Sequence, residues 1–333
     1  MKKVFVFFLL AVVAATGIFA QLTFSGDMYA GVQVEEYFGK DDESVTSMLH
    51  RKEGAPKFNF VATGVRENYG VKLDVTFQTT NPFNLNGVYA WVGFLENALR
   101  LSLGKISDPV WLSSLDSDHE EKFDDITGFR VDYKVPYLEG LNVGFAFTID
   151  DFDAEKTFKK IILGANYVSP LFNAVIAYDN GNNARLLFGF NYTGMDDLTS
   201  AGIQIKAFNI ATWESTVYRG RLEINEKVGY RIMRPLTVSL LMEQVFFGTP
   251  NTDPRLSFTL EGSYRILPNL SGSLGLGIQS ADLFNTQIIS IHPWIEYTLK
   301  GPARLYAEYE LSLAEYRSGS FHRFGFGIDI KAF

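Results

Sequence analysis

Residues 87–105, GVYAWVGFLENALRLSLGK, decide the fold class of this chain. On both sides of a polar break at residues 96–98, apolar side chains occupy every second position. They are Val88, Ala90, Val92 and Phe94 before the break, and Leu99, Leu101 and Leu103 after it. A period of two is the spacing of a β-strand whose two faces meet different surroundings. The stretch therefore predicts two antiparallel strands joined by a tight turn.

A long acidic segment and a second hairpin follow. Residues 107–126, SDPVWLSSLDSDHEEKFDDI, are too many and too acidic for a hairpin turn, which usually takes about two to five residues. Residues 128–147, GFRVDYKVPYLEGLNVGFAF, then repeat the alternation of the first hairpin. Two hairpins that each have one apolar face therefore flank one long polar loop.

Three short motifs bracket this loop. They are Tyr89-x-x-Val92-Gly93-Phe94, Leu101-x-Leu103-Gly104-Lys105 and Thr127-Gly128-Phe129-Arg130-x-Asp132-Tyr133. Over residues 89–147 the chain resembles the central section of Gram-negative general porins, although the family's usual Pro-Glu-Phe-Gly-Gly-Asp loop tip is absent. The resemblance implies an outer-membrane β-barrel that forms a homotrimer and whose third loop folds into the lumen to narrow the pore.

Residues 1–20 have the layout of an export signal. Lys2 and Lys3 supply a charged start, residues 4–15 are apolar, and residues 17–20 offer a cleavage zone. We therefore expect a signal peptide over 1–20 and a single mature domain over 21–333, exported to the bacterial outer membrane. An N-terminal membrane anchor is the alternative, but the apolar stretch is shorter than the roughly 20 residues of a spanning helix.

Composition narrows the function class. The chain is 47% hydrophobic and 15% aromatic, yet no apolar run after Ala20 is long enough for a transmembrane helix. The chain has no cysteine, which excludes disulfides, a lipid-modified N-terminus and thiolate zinc sites. The net charge of −8 disfavours a nucleic-acid partner. No cofactor motif or metal-ligand spacing is present, so we expect neither a cofactor nor a metal.

Two-residue alternation extends over the whole of 21–333, without a linker or a change in composition. Counting the runs gives about 18 strands, or 16 where neighbours merge, and an even number is expected of a bacterial outer-membrane barrel. The connections alternate between short and long, as in barrels with short periplasmic turns and longer external loops. The short ones are 66–70, 96–98, 136–140, 233–235, 267–269 and 300–303, and the long ones are 39–56, 105–126, 150–160 and 248–254.

The apolar face must meet either a second sheet or lipid, and alternation alone does not distinguish a soluble sandwich from a barrel. So many strands with one uniformly apolar face present more apolar surface than two packed sheets of one domain usually need. Outer-membrane lipid is therefore the expected surrounding. Aromatic residues at strand ends fit the girdles found at the two membrane interfaces. We therefore predict an all-β, transmembrane antiparallel barrel of 16–18 strands.

Charged residues near the long loop form the candidate site. If the loop enters the lumen, its carboxylates face cations of the wall across a narrow waist and tune ion preference. The loop carboxylates are Asp108, Asp116, Asp118, Glu120, Glu121, Asp124 and Asp125. The basic wall residues are Lys72, Arg100, Arg130, Lys134, Arg219 and Arg221. The alternative is a solvated external loop that binds divalent cations.

These features favour a non-enzymatic porin, a passive channel for ions and small hydrophilic solutes. A structural or adhesin-type barrel with a lumen filled by Tyr89, Trp91 and Trp294 is one alternative; small inward residues such as Gly144 and Gly189, and the width of such barrels, favour an open lumen. An outer-membrane hydrolase is another alternative, resting only on an inward Ser290-x-His292 pair.

The C-terminal residue is an aromatic one, Phe333. A terminal aromatic resembles the signal by which the barrel-assembly machinery recognises outer-membrane clients. Phe333 lies one step out of the apolar row that ends at Ile328 and Ile330. We therefore expect the assembly machinery as a partner.

Overall fold

A computed structural model gives the architecture of most of the predicted mature chain. The described residues are 21–38, 44–50, 54–80, 82–108, 110–115, 119–123, 126–149, 160–180, 184–192, 194, 199–209, 220–248, 254–280, 287–299, 301–314 and 320–332. The predicted signal segment and Phe333 lie outside these ranges. No helix of sufficient length and apolarity to cross a membrane occurs among the described residues.

The regular structure of the described residues consists of β-strands. They are β1 (Gln21–Tyr37), β2 (Ser44–Ser47), β3 (Lys57–Arg66), β4 (Tyr69–Gln78), β5 (Asn84–Phe94), β6 (Leu99–Ile106), β7 (Val110–Ser114), β8 (Glu120–Phe123), β9 (Ile126–Lys134), β10 (Leu141–Thr148), β11 (Lys160–Val168), β12 (Phe172–Asp179), β13 (Arg185–Tyr192), β14 (Thr199–Phe208), β15 (Arg221–Met233), β16 (Leu236–Phe247), β17 (Arg255–Leu267), β18 (Leu270–Ser280), β19 (Gln287–Thr298), β20 (Ala303–Ala314) and β21 (Phe321–Ala332).

Eighteen of the described strands close into one antiparallel barrel, which confirms the predicted architecture. The long first strand makes the closure, because its first half pairs with β3 (Phe24↔Ala62) and its second half with β21 (Ala30↔Ile328). Three strands lie outside the barrel wall. The short β2 extends the far end of β1, and β7 and β8 pair with each other in a separate two-stranded ribbon.

The connections sort onto the two rims of the barrel. The predicted short turns all connect neighbouring strands at one rim, called here the short-turn rim. Left-handed backbone lets these turns reverse the chain within a few residues: φ is +50° at Glu67, and +53° to +67° over Leu95, Glu96 and Asn97. The longer connections, 107–125 among them, leave from the opposite rim, called here the long-loop rim.

The predicted alternation separates the two faces of the wall. Apolar side chains of one row lie outside and exposed, as at Leu163 (51%) and Leu276 (42%), whereas the other row points into the barrel, where Gln204 is completely buried (0%). Apolar surface is stabilised by about 25 cal/mol per Å² when it leaves water. An outer face of this composition is therefore suited to hydrocarbon rather than to water.

A cluster of buried hydrophobic side chains lies inside the barrel. It joins Trp111 and Phe123 of the long loop to apolar side chains of the inner wall, and its remaining members are Tyr89, Ile106, Ile126, Ala146, Ile162, Val175, Ala177 and Leu187. The wall is one sheet closed on itself, so this core forms where the long loop covers one part of the inner wall.

Candidate functional site

The long loop after β6 folds into the lumen and forms the candidate site. Its strands β7 and β8 pair through Val110↔Phe123 and Ser114↔Glu120, and together they are called here the loop hairpin. The hairpin lies along the inner wall formed by β11, β12 and β13. Part of the cross-section of the barrel is therefore occupied by this segment.

A row of inward glycines makes room for the hairpin. The indole of Trp111 occupies the space that a Cβ at Gly164 would take, and a Cβ at Gly144 would lie 3.3 Å from the same ring. Further along, Ser113 fills the space above Gly189 and Leu115 the space above Gly202. These four residues, Gly144, Gly164, Gly189 and Gly202, are called here the glycine groove. They let the hairpin approach the wall more closely than any other residue type allows.

Two aromatic side chains anchor the hairpin in this groove. Trp111 is only 4% exposed, and its ring meets that of Phe123 edge to face with centroids 6.1 Å apart. The guanidinium of Arg185 lies over the Phe123 ring, 4.0 Å from its centroid. Aromatic pairs and cation–π contacts of this kind each add about 0.5–2 kcal/mol beyond the burial of apolar area.

Wall amides satisfy the backbone of the hairpin. The amide of Gln204 donates to the carbonyl oxygens of Ser113 and His119, each at 3.2 Å. Asn225 donates to the Gln204 carbonyl oxygen at 3.1 Å, and Asn191 donates to the Ser114 carbonyl at 2.8 Å. Because an unpaired buried carbonyl is costly, these bonds stabilise the docked position of the hairpin.

Asp108 meets the basic wall where the loop leaves β6. Its carboxylate forms an ion pair with Lys72, accepts a hydrogen bond from the Tyr89 hydroxyl and lies 3.9 Å from Arg100. Arg130 donates to its backbone carbonyl at 3.0 Å. Burial alone would raise the pKa of Asp108, but the bonds from Lys72 and Tyr89 and the nearby positive charges outweigh burial and lower it.

The far end of the hairpin is held by a second set of charges. Glu121 lies 3.1 Å from Arg185 and 3.0 Å from Lys206. His119 Nε2 contacts the Glu243 carboxylate at 2.6 Å. Two of the described loop carboxylates, Asp108 and Glu121, therefore touch wall cations directly and do not face them across open water.

The other predicted site residues are placed as follows. Glu120 pairs at 3.2 Å with Lys122 of the same loop, and Arg221 pairs at 2.8 Å with Glu223 of its own strand. Lys134 lines a cavity below the hairpin and forms no ion pair with the described loop carboxylates Asp108, Glu120 and Glu121. Six predicted residues lie outside the described ranges, namely Asp116, Asp118, Asp124, Asp125, Arg219 and Phe333.

Sequence reasoning missed Arg185, Lys206 and Gln204 as partners of the hairpin. The sequence could have indicated that these side chains point into the lumen, because each one alternates with outward apolar residues of β13 or β14. In the sequence, Gly144 and Gly189 are small inward residues that indicate an open lumen. In the structure, side chains of the hairpin occupy the space above them.

Among the described residues, two cavities with charged and amide side chains in their linings lie inside the barrel toward the short-turn rim. One of about 610 Å³ lies beneath the hairpin, and its polar lining includes Arg100, Arg130, Lys134, Asn142 and Asn166. The other, of about 520 Å³, is lined by Arg231, Arg265 and neighbouring residues. Spaces of this size and polarity accommodate hydrated ions and small hydrophilic molecules.

The opposite wall carries a second inward contact. His50, from the connection between β2 and β3, is buried between the rings of Tyr29 and Tyr306, with centroids 5.4 and 5.0 Å away, and its Nε2 contacts Asp329. Arg304 also pairs with Asp329, at 3.0 Å. The loop hairpin and the connection that carries His50 thus narrow the lumen from opposite sides.

His292, considered above as a hydrolase residue, is engaged in a different way. Its Nε2 contacts Glu308 at 3.1 Å, and its ring packs against Trp294 with centroids 5.0 Å apart. Its described contacts are therefore those of a wall residue.

Comparisons with known proteins agree with this architecture. No protein-family model matches the chain, and no curated protein matches its sequence. Solved structures do match in fold. OccAB3 of Acinetobacter baumannii is 12% identical with a TM-score of 0.64, over 93% of this chain and 99% of that one. A BenF-like porin from Pseudomonas fluorescens Pf-5 is 9% identical with a TM-score of 0.65, over 94% and 99%.

An anion-selective porin from Comamonas acidovorans is 13% identical with a TM-score of 0.56, over 94% of this chain and 99% of that one. The matches extend over nearly the full length of both partners, whereas the identities are too low to carry residue roles across. The chain therefore has the fold of Gram-negative outer-membrane porins.

Proposed function

We propose that this chain is a porin that lets ions and small hydrophilic solutes diffuse passively across a bacterial outer membrane. The observation that carries the proposal is the combination of an apolar outer face with a lumen in which a docked hairpin leaves polar cavities. The solved structures of similar fold include a BenF-like porin and an anion-selective porin, which supports the same function. A filled structural barrel would need no such cavities.

The finer assignment is also a proposal. We infer a general-porin type of channel, exported by the signal segment at 1–20, inserted with the help of the barrel-assembly machinery and assembled as a homotrimer. The motifs around the long loop and the terminal Phe333 support these points. The loop carboxylates and the basic wall would then set ion preference in the narrowed section.

Reconstitution of the purified protein tests the function. In planar bilayers we expect stepwise ion currents, and in liposome swelling we expect entry of small neutral sugars but exclusion of large oligosaccharides. Folded barrels that give neither current nor swelling would contradict the proposal and favour the filled structural barrel.

A further inference from the structure

Two polar side chains interrupt the apolar outer face of the barrel. Glu226 of β15 belongs to the same outward row as Val228 and Tyr230, because the pairing of β15 runs without a shift from residue 221 to residue 231. Gln244 belongs to the outward row of β16. Each is flanked by apolar residues: Glu226 pairs with Ile203 and Met242, and Gln244 with Ile224 and Leu256.

The two side chains are neighbours on adjoining strands. Met242 is the direct partner of Glu226, and Gln244 lies two positions further along the same strand, which is a diagonal position within reach of long side chains. Among residues whose side chains are described, the other charged outward residues of the barrel lie at or next to a strand end. They are Glu36, Arg66, Lys105 and His322.

A carboxylate in the hydrocarbon band needs a partner. Ionisable residues inside a membrane are costly and normally pair with another polar group. Glu226 has no hydrogen bond or ion pair with any part of the chain that the structure describes. The amide of Gln244 carries two N–H donors and is likewise without a described partner.

We propose that β15 and β16 form a contact between copies of this chain, in which Gln244 of one copy donates a hydrogen bond to the Glu226 carboxylate of the next. The described outward rows offer no Lys or Arg away from the strand ends, so an uncharged donor has to meet the carboxylate, and Gln244 supplies the amide nearest to Glu226 on this face. Every copy carries one donor and one acceptor side by side. A closed ring of two or three copies therefore satisfies each carboxylate.

This inference rests on the membrane-spanning barrel and the oligomer of the proposed function, but not on conductance. Failure of the contact would leave single-channel currents unchanged, whereas failure of the channel function would abolish currents and leave the contact intact. The two can therefore be tested separately in the same preparation.

Cysteine cross-linking tests the contact without background, because the natural chain has no cysteine. The variants Glu226→Cys and Gln244→Cys are co-expressed, and outer-membrane vesicles are treated with a short bifunctional thiol reagent. We expect linked dimers on denaturing gels, in higher yield than with either variant alone.

Val71→Cys co-expressed with Val88→Cys is the matched control. These residues have the same diagonal relation on β4 and β5, are outward and exposed, and lie on the side of the barrel opposite β15 and β16. Equal linking in the control, no linking at β15 and β16, or linking to a protein of different mass would each overturn the proposal.

A charge exchange gives a second readout. Gln244→Glu would bring two carboxylates together across the contact, and we expect loss of the oligomer on native gels. The double variant Glu226→Gln, Gln244→Glu exchanges donor and acceptor and should restore it. A Gln244→Glu barrel that is folded, as judged by its gel shift on heating, and still oligomeric would overturn the proposal.

Discussion

At the scale of single residues, docking of the loop hairpin depends on side chains that are absent from the wall. The hairpin lies close because Gly164 and Gly189 have no side chain, and its position is fixed because Gln204 and Asn191 meet its carbonyls. Small changes at these positions should therefore alter the width of the lumen while the barrel itself remains closed.

Gly164→Val should release the hairpin. The new side chain would compete with the Trp111 indole for the same space, and overpacking of this kind typically costs about 1–3 kcal/mol. Single-channel recordings should show a larger and noisier conductance. Gly262→Val is the matched control, because a Cβ at that outward glycine meets nothing within 4 Å. Equal conductance in wild type and Gly164→Val would show that the hairpin does not limit the current.

Glu121→Gln should shift ion preference toward anions. The change removes the negative charge that lies 3.1 Å from Arg185 and 3.0 Å from Lys206, so two cations face the lumen with less compensation. The reversal potential in a salt gradient measures this preference. Glu120→Gln is the control, because Glu120 pairs with Lys122 of the same loop and not with the wall. A shift no larger than that of the control would contradict the assignment.

The contribution of Asp108 to the stability of the folded protein should be sensitive to acid. Its pKa is lowered in the folded protein, so its contribution to stability is complete above the unfolded value of about 3.9 and is lost as the pH falls through the lower folded value. The difference in thermal midpoint between wild type and Asp108→Asn should therefore be constant from neutral pH to about pH 4 and shrink below it. A difference that shrinks already between pH 7 and 5 would assign the effect to another group.

At the scale of elements, local pattern predicts the barrel strands but not the loop hairpin. The alternation of residues such as Leu274, Leu276 and Ile278 is a local signal, and the strands and short turns follow from it. The strands β7 and β8 have no such alternation. They form because Trp111 and Phe123 pack on a wall built from distant strands, which a local period cannot reveal.

Replacement of residues 110–123 by a short Gly/Ser linker should test the hairpin as a unit. Neighbouring barrel strands pair with each other along their length, so the barrel should still close and still show a gel shift on heating. Conductance should exceed that of Gly164→Val, because the whole segment is gone from the lumen. A linker variant with wild-type conductance would place the limiting constriction elsewhere, for example at His50 on the opposite wall.

At the scale of the whole molecule, the proposed function requires the outer face of the barrel to meet lipid. A pair of arginine substitutions tests this requirement directly. Leu276→Arg places a charge on the exposed outer row of β18, where the cost near the membrane midplane is about 2–4 kcal/mol. Ser273→Arg places the same charge on the inward, polar row of the same strand, where water can solvate it. Folding yield into lipid vesicles should fall strongly for the first variant and little for the second. Equal yields would mean that the outer row does not face hydrocarbon, because charge is penalised by the surroundings of a side chain and not by its position in the sequence.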